Sequence, residues 1–146
     1  MVKKELFAIG KKKNATARAI IETDTNAQGF INGGILINGV PIEKYSTPLA
    51  RSVIVDPINY VKEEIPDLLS GIMIKIDTRG GGYMSQAIAA RVALFKVLSN
   101  YVSKKKTFIK KAREYDSKIF ISDTRKPAPK RYGGRGARAR FQKSYR

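Results

Sequence analysis

Three places in the sequence carry residue types and spacings suited to chemistry, and in each the chemistry is phosphate recognition. The first is Arg79-Gly80-Gly81-Gly82, a glycine run between a strand-like and a helix-like stretch. Exposed N–H groups and the positive end of a helix favour an anion there, and glycine lets a backbone come close. The spacing is neither G-x-x-x-x-G-K-[ST] nor G-x-G-x-x-G, so the nucleotide-binding motifs do not apply. The competing reading is a plain strand-to-helix turn. The second place is the run Lys11, Lys12, Lys13 and Asn14, followed by Thr16 and Arg18 on the polar side of an alternating stretch. It reads either as a solvated hairpin end or as a surface that contacts a nucleic-acid backbone. The third is the C-terminal end, where Tyr132, Phe141 and Tyr145 alternate with Lys130, Arg131, Arg135, Arg138, Arg140, Lys143 and Arg146. Rings and guanidinium planes stack on bases while the charges neutralise phosphates, a combination suited to RNA. Small residues at Gly133, Gly134, Gly136, Ala137 and Ala139 keep this segment thin.

What the chain lacks narrows the chemistry further. Its 146 residues contain no cysteine and no histidine. Disulfides, most zinc sites and Ser/His or Cys/His catalysis are thereby excluded. No metal or organic cofactor is expected. No apolar run is long enough to span a bilayer, and the start has too short an apolar stretch for a signal peptide, so a cytosolic protein with no membrane partner is expected.

The formal net charge of +17 is unevenly distributed. Residues 1–18 hold six basic and one acidic side chain, and residues 19–102 hold seven and eight. Residues 103–118 hold seven and two, and residues 119–146 hold nine and one. A near-neutral middle flanked by basic segments looks like a folded core carrying extensions for phosphate contacts.

The elements that must position these groups follow from periodicity. Leu6–Ile9 and Thr16–Thr23 read as a hairpin, with Ala17, Ala19 and Ile21 inward and a basic tip over residues 10–18. Gly33-Gly34 and Asn38-Gly39 flank a strand at Ile35–Ile37, and Asn-Gly suits the positive φ of a tight hairpin, so more antiparallel sheet is expected. Thr47-Pro48 and Asp56-Pro57 each place a capping side chain before a proline, predicting two short helices. Ile72, Ile74 and Ile76 alternate as a half-buried strand. The strongest helix signal runs from Met84 to Val102, with a broad apolar face and Lys96 opposite. Arg91 interrupts that face. Either its stem packs and its head reaches the rim, or it extends to the glycine loop and an RNA phosphate. A surface helix over Thr107–Tyr115 and a short strand at Ile119–Ser122 complete the core. Residues 1–122 form the expected globular domain and 123–146 the tail, which cannot bury enough apolar area to order without a partner.

The tip GKKKNATARA, the turn Asn38-Gly39-Val40-Pro41, the segment RGGGYMSQAIAARVAL and the terminal run YGGRGARARFQKSYR resemble the universal S-nine protein family of the small ribosomal subunit. The terminal run resembles its archaeal and eukaryotic branch. The resemblance covers nearly the whole chain and is weakest over residues 42–70. It implies an α+β fold, a two-layer sheet-and-helix domain of the ribosomal S-five second-domain type with an extended basic C-terminal tail. It implies a place in the small-subunit head, with small-subunit rRNA, the peptidyl-site tRNA and neighbouring head proteins as partners. The rRNA contacts it implies are Lys11, Lys12, Lys13, Asn14, Thr16, Arg18, Arg79, Gly80, Gly81, Gly82, Gln86, Arg91, Lys130, Arg131, Arg135, Arg138 and Arg140. The tRNA contacts it implies are Lys143, Ser144, Tyr145 and Arg146.

Three functions compete at this level. A ribosomal protein would assemble constitutively on rRNA, and a free RNA or DNA chaperone would keep a soluble pool of loose specificity. A small kinase would bind nucleotide at Gly80–Gly82, but the chain offers no set of acid, base and metal ligands beyond scattered carboxylates.

Overall fold

The computed structural model describes residues 6–22, 34–69 and 72–144. It is an α+β domain with one five-stranded mixed sheet and three helices. Strands β1 (Leu6–Lys12) and β2 (Ala15–Glu22) form the N-terminal hairpin. After it come β3 (Gly34–Ile37) and β4 (Val40–Pro41), then helix α1 (Pro48–Lys62), strand β5 (Met73–Arg79) and helices α2 (Tyr83–Tyr101) and α3 (Lys105–Tyr115). The spatial order is β1-β2-β5-β3-β4.

The β1–β2 and β2–β5 pairs are antiparallel, but β3 pairs with β5 in parallel. The antiparallel expectation therefore holds for the hairpins and fails for β3–β5. The β3–β4 hairpin reverses the chain, and after α1 it returns as β5 on the other side of β3, running opposite to β4 and so parallel to β3. The hairpin itself is the Asn-Gly turn expected, with Asn38 at φ 51° and Gly39 at φ 79°.

Burial alternates cleanly along the strands. Ala15, Ala17, Ala19 and Ile21 of β2 and Ile74 and Ile76 of β5 face the core, and Ile35 and Ile37 of β3 join them. All inward positions lie on one face, so the helices cover that face and leave the other open. Helix α2 packs on β1, β2 and β5, with α1 and α3 against it. Enclosed in this way, it is buried through most of its circumference, Ala87, Ala89, Ala90, Val92–Phe95 and Val97–Ser99 included. The expected single apolar face is too narrow for a helix with neighbours on several sides.

Gly10 fits this packing rather than the tip. A Cβ there would overlap the Ala89 carbonyl oxygen and lie 2.6 Å from the Ala93 nitrogen. The backbone of β1 touches that of α2 because nothing but hydrogen stands between them.

Two expectations are overturned. The proline-divided stretch is one helix, not two: α1 starts at Pro48, with the Thr47 hydroxyl accepting from Ala50 N at 3.3 Å, and runs through Pro57. Ala50, Ile54, Ile58 and Val61 form a continuous buried stripe across the proline, and burying it outweighs the roughly 3 kcal/mol that an interior proline costs. Residues 119–122 form no strand. Ile119 is fully buried, and its neighbour Phe120 packs against Phe95 and Phe108 at 6.2 and 6.4 Å between ring centroids. Two consecutive inward side chains are incompatible with the two-residue period of a strand, so the chain turns instead.

The helix expected over Thr107–Tyr115 is present but sits deeper than a surface helix. Phe108 and Ala112 are fully buried, Tyr115 packs on Tyr60 of α1, and Lys111 pairs with Glu64 at 3.1 Å. That ion pair raises the lysine above its ordinary pKa, the Glu64 hydrogen bond being the main cause.

Candidate nucleic-acid interface

The topology brings the C-terminal end of β1, the start of β2 and the end of β5 to one end of the sheet, where α2 begins. Pairing in the hairpin runs as far as Lys12↔Ala15, so the turn is only Lys13-Asn14. The strands are longer and the tip tighter than the sequence suggested, because Lys11 and Lys12 continue the β1 alternation. Lys11 is exposed on the open face, in one cross-strand row with Thr16 of β2 and Arg79 of β5. Arg18 lies one pleat further along the same face. Lys13 occupies the turn with φ 54°, a left-handed conformation that costs a lysine about 1 kcal/mol.

Lys12 points to the helix side instead, and its Nζ lies 2.9 Å from Asp123 Oδ2. Asp123 N donates to Lys11 O at 2.9 Å, and Lys13 N donates to Asp123 O at 2.7 Å. Arg125 Nε and Nη2 also reach the Asp123 carboxylate, both at 2.9 Å. Bonds from Arg125, then from Lys12, hold this carboxyl well below the usual carboxylate range. Lys96 adds a second tie, donating to Ile9 O at 3.2 Å and Ser122 Oγ at 2.8 Å, and burial lowers its pKa. These bonds cap the outer edge of β1 and root the C-terminal segment beside the hairpin tip.

The glycine loop packs directly under that tip. Gly80 and Gly81 have φ of +75° and +67°, and a Cβ on Gly80 would sit 2.6 Å from Asn14 O. A Cβ on Gly81 would meet that of Ala15 at 3.1 Å. Gln86 Nε2 donates back to Gly80 O at 3.2 Å. Turn geometry and close packing therefore account for the first two glycines. Gly82 differs: it is the N-cap of α2, with φ −96°, and a Cβ there would meet nothing within 4 Å. No side chain caps this helix, so its first N–H groups face outward.

Arg91 does not extend to the glycine loop. Its Nη2 lies 2.9 Å from Asp116 Oδ2, just past the end of α3, and the side chain is mostly buried. It braces α2 against the segment after α3, a role closer to the packed-stem reading.

Residues 124–144 contain no regular secondary structure. Lys130, Arg131, Arg135, Arg138, Arg140, Lys143 and Ser144 are all exposed, as are the rings of Tyr132 and Phe141. Tyr145 and Arg146 lie outside the described residues. Gly133, at φ +74°, turns the chain back so that Arg140 Nη1 donates to Tyr132 O at 2.6 Å. The contacts of residues 124–144 are mainly local. Amides from about Pro127 onward should exchange fast in the isolated protein, and a chain ending at Lys126 should unfold with unchanged cooperativity. Strong hydrogen-exchange protection over residues 127–144 would contradict this.

The lysine tip and the glycine loop are thus in contact, and the root of the C-terminal segment is bonded to the tip. Sequence reasoning missed Asp123 as the residue that joins tip and root. The available signal was its position as the single acidic residue after Asp116. Among the described residues, no cluster of acidic side chains could hold a metal ion, and no helix is long and apolar enough to cross a membrane.

Residues 10–146 match the family described as ribosomal protein S9/S16. The small ribosomal subunit protein uS9 of Eremothecium gossypii is 41% identical over 143 residues, covering 94% of this chain and 93% of the relative. The uS9A protein of Saccharomyces cerevisiae is 40% identical with the same coverage, and the Neurospora crassa uS9 is 36% identical with both chains fully covered. On this evidence the chain belongs to the ribosomal protein S9/S16 family, in its eukaryotic branch, a family of ribosomal structural proteins and not of enzymes.

Proposed function

We propose that this protein is a structural constituent of the small ribosomal subunit, acting in the cytoplasm. It binds rRNA in the subunit head beside neighbouring head proteins and reaches the peptidyl-site tRNA with its C-terminal residues. The observation that carries this reading is the convergence of the three basic or glycine-rich segments at one end of the sheet. Lys11, Lys13, Arg18 and Arg79 supply charge on the open side of that end, and the α2 N-terminus supplies N–H donors next to it. The Asp123 bonds start the C-terminal segment from the same place. One stretch of rRNA backbone can then engage tip, loop and tail root together, while the tail continues between RNA helices. A sheet covered by helices on one side fits the two-layer S-five second-domain type, with the basic tail as its extension.

Gly82→Asp separates RNA binding from folding. Aspartate is a favoured N-cap and nothing obstructs its Cβ, so stability should stay level or rise by about 0.5 kcal/mol. RNA affinity should fall, because a carboxylate then stands where phosphate approaches. Equal RNA affinity of variant and parent would reduce this helix end to a turn.

The tRNA contact has its own test. Deleting residues 143–146 should weaken tRNA binding at the peptidyl site of isolated small subunits by roughly 1–3 kcal/mol, and flatten its salt dependence by about 0.7–0.9 log units for each phosphate no longer neutralised. The subunits should still assemble. Unchanged affinity and salt slope would leave the tail end as an rRNA anchor only.

A further inference from the structure

Beside the tail root, the segment after α3 and the adjacent side of α2 enclose a groove of about 560 Å³. That volume lies in the range of sites for small organic ligands. Its lining combines three features. Ile88 of α2 supplies a half-buried apolar surface, and Ile121, 63% exposed, supplies a second one. Lys118 lines the groove as an exposed cation, with no described carboxylate paired to it. Two carboxylates, Asp116 and Asp123, line it as well.

Each feature excludes a simpler ligand. A bare phosphate has no use for the isoleucine surfaces, and an apolar peptide has no use for the lysine. A flat ring bearing a phosphate uses both. The carboxylates add a preference among rings. Asp116 Oδ2 accepts from Arg91 Nη2 at 2.9 Å and Oδ1 from Lys118 N at 2.8 Å, which leaves half of its roughly four acceptor positions open. Guanine presents a ring N–H and an amino group side by side, which a carboxylate can accept together, whereas uracil presents a single N–H flanked by carbonyls. Arg91 Nε, buried and without a hydrogen-bond partner, shows that the polar wall is not fully satisfied within the protein.

We propose that this groove receives one nucleotide extruded from bulged or single-stranded RNA, guanine in preference to uracil, with its ring on Ile88 and Ile121 and its phosphate toward Lys118. The assignment rests on the RNA-binding reading above and adds to it a built site for a single base. Asp116 and Arg91 position the acceptor, and the Asp123 bonds keep the groove open at the tail root.

Methyl NMR on the full chain tests this with guanosine 5′-monophosphate, uridine 5′-monophosphate and inorganic phosphate as probes. The guanine nucleotide should shift the methyl signals of Ile88 and Ile121 saturably, with at least threefold tighter binding than the uridine nucleotide. Inorganic phosphate should leave those methyls in place. Ile121→Asp, at an exposed position that folding does not require, should abolish the methyl shifts while the circular dichroism stays unchanged. If the guanine nucleotide moves these methyls no more than phosphate does, or no more than the uridine nucleotide does, the inference is overturned. Retention of rRNA-fragment binding in that case would leave the wider function standing, whereas absence of any rRNA affinity would remove both.

Discussion

Replacing Gly10 with alanine should lower the stability of the folded chain by about 3 kcal/mol, although the change adds a single methyl group to a strand. The methyl would overlap the Ala89 carbonyl oxygen and approach the Ala93 nitrogen and the Val92 Cβ, and two of these three atoms belong to the α2 backbone. A backbone cannot rotate aside as a side chain does, so α2 must lift from β1, and the buried surfaces of Ala8, Ala17 and Phe95 are pulled apart. Gly136→Ala is the matching control, since its Cβ would meet only the Ala139 Cβ at 3.9 Å and its stability should change by less than about 0.5 kcal/mol. Urea denaturation of the two variants checks this. Equal midpoints would mean that the β1–α2 packing can relax freely, contrary to the close approach of the two backbones.

The largest effect on function is expected from the end of the sheet. A variant carrying Lys11→Ala, Lys13→Asn and Arg79→Ala should bind an rRNA fragment about 3 kcal/mol more weakly, and its salt dependence should flatten by about 2–3 log units. All three side chains are exposed, and asparagine tolerates the left-handed conformation at position 13, so folding should be unaffected. The comparison that gives this meaning removes the same charge elsewhere. Lys106, Lys110 and Arg113 are exposed on α3, away from the hairpin, and replacing them with alanine should cost less than half as much affinity. Equal losses from both variants would show that net charge alone binds the RNA and that the tip has no special place.

Local rules made several parts of this protein legible before its structure. The alternation through Ala17, Ala19 and Ile21 placed the hairpin, and Asn38-Gly39 placed a tight turn. Thr47 before Pro48 marked the start of α1, and the apolar run from Met84 marked α2 to within a residue at each end. Each depends on neighbours no more than four residues away, which is the range of backbone hydrogen bonds in turns and helices. The segregation of charge, equally visible in the chain, separated a near-neutral middle from its basic flanks.

Tertiary contacts decided the rest. Pro57 signals a helix start from its own chemistry, but the stripe through Ile54, Ile58 and Val61 is buried only when α1 docks, and docking carries the helix through the proline. Ile119 and Phe120 look like a strand, yet both turn inward, Ile119 into the core and Phe120 against the rings of Phe95 and Phe108. Gly10 resembles a turn residue beside a lysine run, yet its lack of a side chain matters because Ala89, far along the chain, lies against it. The three lysines that follow look equivalent in sequence and are not, since the strand pleat sends Lys11 outward and Lys12 inward to Asp123. By itself the sequence determined which residues carry charge and which backbone conformations come easily. The tertiary structure alone decided which of those charges are neutralised within the protein and which are presented together, because that depends on pairs more than a hundred residues apart meeting at one end of a sheet.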